Sequence, residues 1–229
     1  MLLKKWERLP EDMRTEEVRP YYDILKKKRF SLFFKRVFDI TVSLFLLVLL
    51  SPVFLIVSVA IAADSRGGVF FRQRRVTSYG KVFRIHKFRT MVKDAEKLGS
   101  QVTVGDDMRV TKVGKLIRGC RMDELPQLID ILAGNMTFVG TRPEVEKYVE
   151  AYSPEMKATL LLPAGVTSEA SIKFKDEAEL LEGAQDPDKT YIEEILPQKM
   201  EYNLNAIKKF SFFRDIGTMF ATVFAVFKK

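Results

Sequence analysis

Two adjacent carboxylates, Asp123 and Glu124, are the residues of this sequence whose types and spacing are best suited to chemistry. Arg118 and Arg121 lie just before them, and Pro126 follows, at a position where the first turn of a helix tolerates its missing N–H. A helix start that holds carboxylates beside guanidinium groups favours the handling of phosphate. The alternative is an acidic N-terminal cap on a surface helix, and these residues alone favour that simpler interpretation.

The helix that begins at these carboxylates is predicted to bury one face. Leu125, Leu128, Ile129 and Leu132 recur at helical spacing. Gly134 is typical of the position just after the end of a helix. The carboxylates are therefore expected at the N-terminus of a short helix that packs against a core.

Composition limits the functions available to this chain of 229 residues. Its hydrophobic content of 47% is enough for a core, and its formal net charge of +8 implies an anionic partner such as nucleic acid, an acidic membrane surface or a phosphorylated substrate. The single cysteine, Cys120, excludes a disulfide framework within the chain. The single histidine, His86, argues against a His-rich metal site or a Ser-His-Asp triad, so catalysis would depend on carboxylates, Arg, Lys and a hard metal ion.

The longest apolar stretch, residues 40–63, has no charged residue and is long enough to span a bilayer. Ser51 and Pro52 interrupt it near the middle, where a proline removes a backbone hydrogen bond and kinks a helix. Lys and Arg residues flank both ends, and such residues mark the cytoplasmic side. A helix that enters, breaks and returns to the same face satisfies both observations, with the Ser51 hydroxyl bonding to backbone groups that the kink frees. An ordinary kinked transmembrane helix is the alternative, and the two hypotheses stay equally open.

Residues 1–30 are polar and charged, which predicts no cleavable signal peptide.

Short strands are predicted at residues 69–71 and 81–85, joined by a loop that contains Gly80. Eight Arg and Lys residues lie between positions 66 and 89, and most of them suit an anionic lipid surface. Lys87 and Arg89 are the two that we predict to face a substrate instead.

The remaining elements are predicted to complete the surroundings of the carboxylates. A strand at 136–139 leads into a turn that can return Arg142 to them. Asp106 and Asp107 are interpreted as a solvated turn rather than as a metal site. The other predicted elements are a helix at 92–99, a loop at 100–109, a helix at 144–162, a loop at 163–171, helices at 174–183 and 191–208, and an interfacial helix at 210–229.

Seven stretches occur here in the order seen in the bacterial sugar transferases, and the chain resembles the short, monotopic polyprenyl-phosphate phosphoglycosyl transferases of that family. The resemblance covers about residues 30–145, and its KFRTM, DELPQL and G-x-RP motifs are highly specific together. The stretches are KRVFDI (35–40), the Ser51-Pro52 break, FFRQRRV (70–76), KVFRIHKFRTM (81–91), TKVGKLIR (111–118), DELPQLIDILAGNMTFVG (123–140) and Arg142-Pro143.

The resemblance implies a reaction in which a sugar 1-phosphate moves from a UDP-sugar to a polyprenyl phosphate such as undecaprenyl phosphate, with Mg²⁺ as cofactor. Carried over, Asp123 is expected to be the nucleophile, to form an aspartyl phosphosugar with release of UMP, and to help hold Mg²⁺. Glu124 is expected to deprotonate the incoming polyprenyl phosphate. Arg118 and Arg142 match family arginines near the phosphate, and Ser51-Pro52 matches the break of the family's re-entrant helix.

Two departures from the family pattern bear on the donor. Gly140-Thr-Arg-Pro143 stands where Gly-Pro-Arg-Pro is common, and the usual Pro-Gly-x-Thr-Gly stretch is present only as Pro163-Ala-Gly-Val-Thr-Ser168. Residues 164–200 are expected to shape the pocket for the sugar and base. The identity of the sugar is therefore left open.

The predicted fold is α+β and mostly helical. It combines a membrane-inserted re-entrant helix-break-helix, a small cytoplasmic catalytic domain with short strands, and interfacial amphipathic helices. The predicted divisions are a polar N-terminal segment and interfacial helix at 1–39, the re-entrant helix at 40–63, the catalytic core at 64–145, substrate-pocket helices and loops at 146–209, and the C-terminal amphipathic helix at 210–229.

The predicted function is phosphoglycosyl transfer for surface glycan assembly, at the cytoplasmic face of the bacterial inner membrane. Arg118, Arg142, Lys87 and Arg89 are the predicted phosphate-binding residues, and the expected partners are a UDP-sugar, a polyprenyl phosphate and anionic lipid, but no nucleic acid. A homodimer is compatible with the sequence and not required by it. A catalytically silent membrane-tethered scaffold of the same fold is the alternative. A membrane-anchored nucleic-acid binder, suggested by charge alone, would stack bases on exposed aromatic residues.

Overall fold

The apolar stretch forms two helices that meet at the predicted break in the computed structural model, which describes residues 3–95, 107–181 and 183–227. Helix α2 spans Arg29–Leu49 and helix α3 spans Ser51–Asp64, with a bend of 61° between them. The Ser51 hydroxyl donates to the Val48 carbonyl at 2.8 Å, as expected for a backbone group that the break releases. Among the described residues no single helix could cross a membrane by length and composition, whereas the bent pair α2–α3 passes that test.

Helix α2 also includes the stretch that was expected to form a separate interfacial helix. It is continuous from Arg29, so the predicted boundary at residue 40 falls inside it. Its first turns expose Phe30, Phe33 and Phe34. The aromatic residues before the apolar run are thus carried on the same helix as the run itself.

Polar side chains attach α2 to the rest of the protein along its buried side. Asp39 accepts from the Thr137 hydroxyl at 2.7 Å and from the Phe138 N–H at 3.2 Å. Lys35 Nζ donates to the Val139 carbonyl at 2.8 Å and forms an ion pair with Asp215 at 2.5 Å. A helix that is apolar on its other sides is therefore fixed to the core through paired polar groups, which a buried position requires.

Two antiparallel strands follow α3 and form the predicted hairpin, with longer strands than expected. Strand β1 spans Phe70–Val76 and strand β2 spans Val82–Phe88, with Phe70 opposite Phe88 and Val76 opposite Val82. The turn between them uses Gly80 with φ +71°, a conformation that favours glycine. The hairpin places Lys87 near the end of β2.

The predicted loop at 163–171 is wrong, because four of its residues form a strand. Strand β3, Met136–Val139, pairs in parallel with strand β4, Ala164–Thr167. The chain is tightest where Gly140 and Gly165 meet: a Cβ on Gly165 would lie 2.2 Å from the Gly140 nitrogen. The small residues of this stretch therefore serve a close backbone approach, and the turn after β3 carries Arg142.

The carboxylates do not lie on the predicted helix itself. They occupy a 3-10 turn, Met122–Glu124, and helix α5 begins afterwards at Gln127–Leu132, with Pro126 just before it. Leu128 is buried as predicted, but Ile129 is 36% exposed and Ile131 is fully buried in its place. The face shifts because α5 is short and packs between α2 and the strands. Gly134 follows the helix with φ +83°, which confirms the predicted stop.

The second half of the chain has more and shorter helices than predicted. Only part of 144–162 is α-helical. Of the described residues in 174–183, only Glu177–Leu180 form an α-helix, and another short helix, Glu169–Lys173, lies before that range. The predicted helix at 191–208 is confirmed, beginning with a π-helical turn, Tyr191–Ile195. The helices are α4 Lys112–Gly119, α6 Glu146–Glu150, α7 Glu169–Lys173, α8 Glu177–Leu180, α9 Pro187–Thr190, α10 Leu196–Lys208 and α11 Phe212–Phe227, with a 3-10 helix at Met156–Leu161.

Most of the predicted helix at 92–99 and loop at 100–109 lies outside the described residues, as does Asp106. Within the described part, Asp107 accepts from the Arg109 guanidinium at 2.6 Å. This pairing fits the interpretation of the stretch as a turn.

The N-terminal segment is polar on its surface but packs into the main core. Helix α1, Arg19–Lys27, contacts α10 and the 3-10 helix Met156–Leu161. Within the segment itself, the Tyr22 hydroxyl donates to the Lys4 carbonyl at 3.0 Å, which joins α1 to the residues before it. The side chains of the segment that are buried in this core are Leu3, Leu9, Met13, Val18, Tyr21, Tyr22 and Leu25.

Large apolar side chains remain exposed on α2, α3 and α11. On α11, Phe213 is 81% exposed and Phe224 is 72% exposed, whereas Thr218 faces the protein and is buried. Soluble surfaces rarely carry a large apolar patch without a partner. The exposed set, which we call the apolar surface, is Phe30, Phe33, Phe34, Val37, Ile40, Leu44, Phe45, Val48, Leu49, Leu55, Ile56, Val59, Phe213, Phe220, Val223 and Phe224.

Candidate active site

A tight turn presents the two carboxylates. It begins at Arg121, which has φ +57°, a left-handed conformation that is uncommon for a residue other than glycine. The 3-10 turn that follows carries Asp123 and Glu124 and leads through Pro126 into α5. Backbone conformations of this kind cluster at functional sites, because the surrounding structure must support their cost.

Glu124 is held by two cations from different parts of the fold. Lys87 Nζ on β2 lies 3.1 Å from Glu124 Oε1. The Arg142 guanidinium, on the turn after β3, contacts both oxygens of Glu124 and also donates to the Val166 carbonyl at 3.2 Å. Burial works against the charged form, but Arg142 and Lys87 outweigh it and hold the pKa of Glu124 well below its usual range.

The same contact favours the charged forms of the two cations, Arg142 and Lys87. The Glu124 carboxylate raises the pKa of Arg142. Burial lowers the pKa of Lys87, and the attraction of Glu124 for the charged ammonium offsets this decrease only in part. Lys87 and Arg142 are thus brought together at the site, as predicted. Both cations face an anion, and a substrate phosphate would compete for them.

Asp123 has a different environment. It is buried, and its carboxylate forms no hydrogen bond or ion pair with any residue in the described parts of the chain. Burial raises the pKa of Asp123; Lys87 and Arg118 oppose that rise, and Glu124 adds to it. Asp123 is therefore a carboxylate that the protein surrounds with charge but leaves uncommitted.

Arg118 is positioned beside Asp123 by the C-terminal end of α4. Its Nε donates to the Thr90 hydroxyl at 2.8 Å, and burial lowers its pKa while Asp123 raises it. Gly114 lets α4 approach this point, because a Cβ there would lie 2.1 Å from the Thr90 carbonyl oxygen. The structure thus brings Arg118 to the site through a contact between α4 and the chain after β2.

Arg89 is directed elsewhere. Its Nη2 donates to the Ser65 carbonyl at 2.6 Å and its Nη1 donates to the Arg66 carbonyl at 2.9 Å. These carbonyls follow the C-terminus of α3, where a cation is favourable. Arg89 therefore joins the bent helix pair to the hairpin, and the structure gives it no contact with either carboxylate.

A cavity of about 760 Å³ opens beside the carboxylate turn. Glu124, Arg142 and Arg121 line it, and Asp123 lies next to the lining without being part of it. The apolar part of the lining comes from helices of the apolar surface and from their neighbours. Its residues include Leu46, Leu50, Leu128, Phe138, Val166 and Ala225.

The polar part of the lining includes a buried network that the sequence did not reveal. The Tyr191 hydroxyl donates to Glu144 at 2.6 Å and accepts from Lys199 at 2.7 Å, and Lys199 also bonds to Glu177 at 2.8 Å. Burial raises the pKa of Tyr191 far above its usual range, so the phenol keeps its proton. The network joins Glu144 to residues over thirty positions away, and no local pattern marks such a contact.

The residues at the site fit Mg²⁺ in one limited respect. Within the described ranges no group of three or more His, Cys, Asp or Glu side chains could hold a metal ion. Mg²⁺ in phosphate-handling sites usually takes one or two carboxylates together with substrate phosphates and water. The uncommitted carboxylate of Asp123 is a suitable donor of this kind.

Taken together, an uncommitted carboxylate, a carboxylate held by cations, and a cavity with polar and apolar lining make up a candidate phosphate-handling site beside the apolar surface. Comparison with known proteins gives the family. The family model described as bacterial sugar transferase matches residues 30–229, and the chain belongs to that family.

Relatives with curated names carry related descriptions. The chain is 36% identical to the UDP-N-acetylgalactosamine-undecaprenyl-phosphate N-acetylgalactosaminephosphotransferase of Aeromonas hydrophila, over 83% of this chain and 43% of the relative. It is 34% identical to the UDP-glucose:undecaprenyl-phosphate glucose-1-phosphate transferase of Klebsiella pneumoniae, over 93% and 45%. A transferase of the same name from Caulobacter vibrioides is 34% identical over 82% and 68%. The chain thus spans less than half the length of the first two.

Proposed function

We propose that this chain transfers a sugar 1-phosphate from a UDP-sugar to a polyprenyl phosphate such as undecaprenyl phosphate. The observation that carries the proposal is the contrast between the paired carboxylates, one uncommitted and one held by Lys87 and Arg142. Membership of the bacterial sugar transferase family and the names of the relatives support it. The chain supplies the nucleophile, the cations and a cavity large enough for a ligand.

In the first step, an oxygen of Asp123 attacks the phosphorus that carries the sugar. The bond from that phosphorus to the bridging oxygen breaks, and UMP leaves with the bridging oxygen and its electron pair. The sugar phosphate stays on Asp123 as an acyl phosphate. Carboxylates act as nucleophiles of this type when cations reduce the repulsion between them and the phosphate, and Arg118, Lys87 and Arg142 supply that charge here.

In the second step, a phosphate oxygen of the polyprenyl acceptor attacks the same phosphorus. The bond to Asp123 breaks, its carboxylate is restored, and the product is a polyprenyl diphosphate sugar. Glu124 takes the proton of the incoming phosphate when that phosphate arrives protonated. Its low pKa in the free protein makes it a poor proton acceptor, but a substrate phosphate that draws Arg142 and Lys87 away from Glu124 raises that pKa.

Mg²⁺ is part of this proposal. Asp123 would hold the ion together with oxygens of the substrate phosphates, and the ion would neutralise charge on the diphosphate.

We further propose that the apolar surface inserts into the cytoplasmic leaflet of the bacterial inner membrane, with α2 and α3 as a re-entrant pair. The 61° bend and the exposed apolar side chains support this topology. Basic residues on both flanks of the apolar stretch support a return to the same side. Such an anchor keeps the site at the interface, where the acceptor presents its phosphate.

The first test is UMP release from a panel of UDP-sugars with undecaprenyl phosphate and Mg²⁺. We expect the wild-type chain to turn over at least one donor and Asp123→Asn to turn over none. Asp23→Asn is the matched control, because Asp23 is partly exposed on α1 and pairs with Arg19 away from the site. Substantial turnover by Asp123→Asn would contradict the proposed nucleophile.

A second test looks for the intermediate directly. Incubation with a sugar-labelled donor and no acceptor should label the wild-type chain and Glu124→Gln, but not Asp123→Asn. Omission of Mg²⁺ should prevent labelling of the wild-type chain and of Glu124→Gln. A wild-type chain that stays unlabelled while it turns over the donor would favour direct transfer, and a chain silent with every donor would favour a tethered scaffold.

A further inference from the structure

Gln127 lies one turn behind both carboxylates. It is the first residue of α5, four positions after Asp123 and three after Glu124. The residues between them have right-handed helical backbone angles, with Leu125 at φ −53° and Pro126 at φ −62°. Side chains three and four positions apart in such a backbone lie on the same side. Gln127 also lines the cavity that Glu124 and Arg142 line.

The amide of Gln127 has no hydrogen-bond partner among the described residues, although the side chain is only 1% exposed. Both Nε2 and Oε1 are left unpaired. The buried Asp130 on the same helix, by contrast, has hydrogen-bond partners: it accepts from the His86 backbone N–H at 2.8 Å and contacts His86 Nδ1 at 2.8 Å. A buried unpaired amide costs stability that methionine or leucine would not, so a ligand is the natural partner for this one.

The chemistry of an amide limits what that ligand is. Nε2 donates and Oε1 accepts, so the amide is fully paired only by a group that does both. A phosphate oxygen accepts only, and it would leave Oε1 facing an anion. A sugar hydroxyl or an acetamido group pairs with both atoms.

We infer that Gln127 binds a hydroxyl or acetamido group of the transferred sugar. This inference rests on the proposed function. In that reaction the sugar is bonded to the phosphorus that Asp123 attacks, whereas the uracil is separated from it by a second phosphate and a ribose. The ligand group that comes within one helical turn of Asp123 is therefore part of the sugar. The broad terminal torsion of a glutamine lets its amide turn to meet that group.

The decisive variant is Gln127→Met, which keeps the volume and removes both polar atoms. We expect its Tm to equal or exceed that of the wild type, because an unpaired buried amide is removed. We expect KM for the UDP-sugar donor to rise roughly tenfold, which is what the loss of one or two hydrogen bonds produces. Inhibition by UMP, which lacks the sugar, should change by less than about twofold on the same physical ground.

Gln198→Met is the matched control. Gln198 is exposed on α10 and its Nε2 donates to the Glu194 carbonyl at 3.0 Å, so its loss should leave both KM and UMP inhibition unchanged. The donor panel adds a second readout: the preference of the wild type between two UDP-sugars that differ at one hydroxyl should shrink in Gln127→Met.

Each contrary result has a defined meaning. A lower Tm with an unchanged donor KM would make Gln127 a structural residue. Equal shifts in donor KM and in UMP inhibition would place it at the nucleotide instead of the sugar. If the wild type is active and the donor KM is unaltered in Gln127→Met, the inference about Gln127 is overturned and the proposed function stands. If the wild type is silent with every donor, both the proposed function and this inference are overturned.

Discussion

Asp123 and Glu124 are neighbours in the chain, but the protein gives their carboxylates opposite surroundings. Glu124 is paired with two cations that lower its pKa, and Asp123 is unpaired among the described residues, with a pKa that burial raises. Pairs of acids with separated pKa values often divide their roles in an enzyme site. The environment therefore distinguishes two residues that the sequence presents as one motif.

The raised pKa of Asp123 predicts an acid limit to the reaction. In the proposed mechanism Asp123 attacks as a carboxylate, so kcat/KM should fall as the pH falls through the raised pKa of Asp123. Lys87 favours the ionised form, and Lys87→Met should raise that pKa and move the acid limb to higher pH. The measurement is the pH profile of kcat/KM. Lys81→Met, which removes the same charge at the other end of β2, should leave the limb in place.

The Arg142–Glu124 pair predicts a stability that depends on pH. The pKa of Glu124 is lower in the folded chain than its ordinary value of 4.5, so the pair stabilises the fold above that value and loses this contribution as the pH falls below it. Arg142→Met should cost about 2 kcal/mol near neutral pH, because the Glu124 carboxylate keeps only Lys87. Urea unfolding at pH 7 and pH 4 measures the effect. A cost that is no smaller at pH 4 would contradict the assigned cause.

At this scale the sequence indicated the carboxylates of the candidate site more readily than the side chains that surround them. Asp123, Glu124 and Arg142 belong to recognisable motifs, whereas the Tyr191 network depends on contacts across tens of residues. Arg89 shows a second limit. Two positions from Lys87, it would share a face with it in a longer strand, but β2 ends at Phe88 and the guanidinium meets carbonyls beyond α3 instead.

The elements that carry the site differ in how far local sequence determines them. The break between α2 and α3 was predictable, because a proline in a long apolar run has a strong local effect. Strand β4 was not, since its sequence Ala-Gly-Val-Thr has no alternation and its small residues are explained only by the approach of Gly140. The helices predicted after β3 were longer than the observed ones for a similar reason, because tertiary contacts interrupt them.

The contact between Gly140 and Gly165 predicts a large effect from one methyl group. In Gly165→Ala the new Cβ would lie 2.2 Å from backbone atoms of Gly140, so β3 and β4 must separate. We expect a loss of about 2 kcal/mol, measured by thermal or urea unfolding. Turnover should fall as well, because Arg142 follows Gly140 on the same turn.

A second glycine provides the control for that substitution. Gly217 lies within α11, and a Cβ there would meet nothing within 4 Å. Gly217→Ala should stabilise the chain by about 0.5 kcal/mol, because alanine favours a helix over glycine. Equal effects at the two positions would show that helix or strand propensity, and not the close approach of Gly140, determines the result.

On the scale of the whole molecule, the apolar surface and the cavity are compatible with the orientation proposed at the membrane. The apolar surface lies on α2, α3 and α11. The cavity beside the carboxylates takes part of its lining from α2 through Leu46, from α11 through Ala225, and from Leu50 at the break between α2 and α3. The polar links of Asp39 and Lys35 fix α2 to the core. A ligand with an apolar chain and a phosphate could therefore reach the site along the helices.

That orientation predicts where the two ends of the bent pair lie. In the re-entrant topology, residues 30 and 66 are on the same side of the membrane, so Phe30→Cys and Arg66→Cys, each in a Cys120→Ser background, should react with an impermeant thiol reagent from one face of sealed vesicles. The background is needed because Cys120 is exposed. Leu49→Cys, beside the break, should be protected from both faces because it would lie within the bilayer. Labelling of positions 30 and 66 from opposite faces would instead require α2 and α3 to cross as one kinked helix, since the 61° bend is compatible with either path.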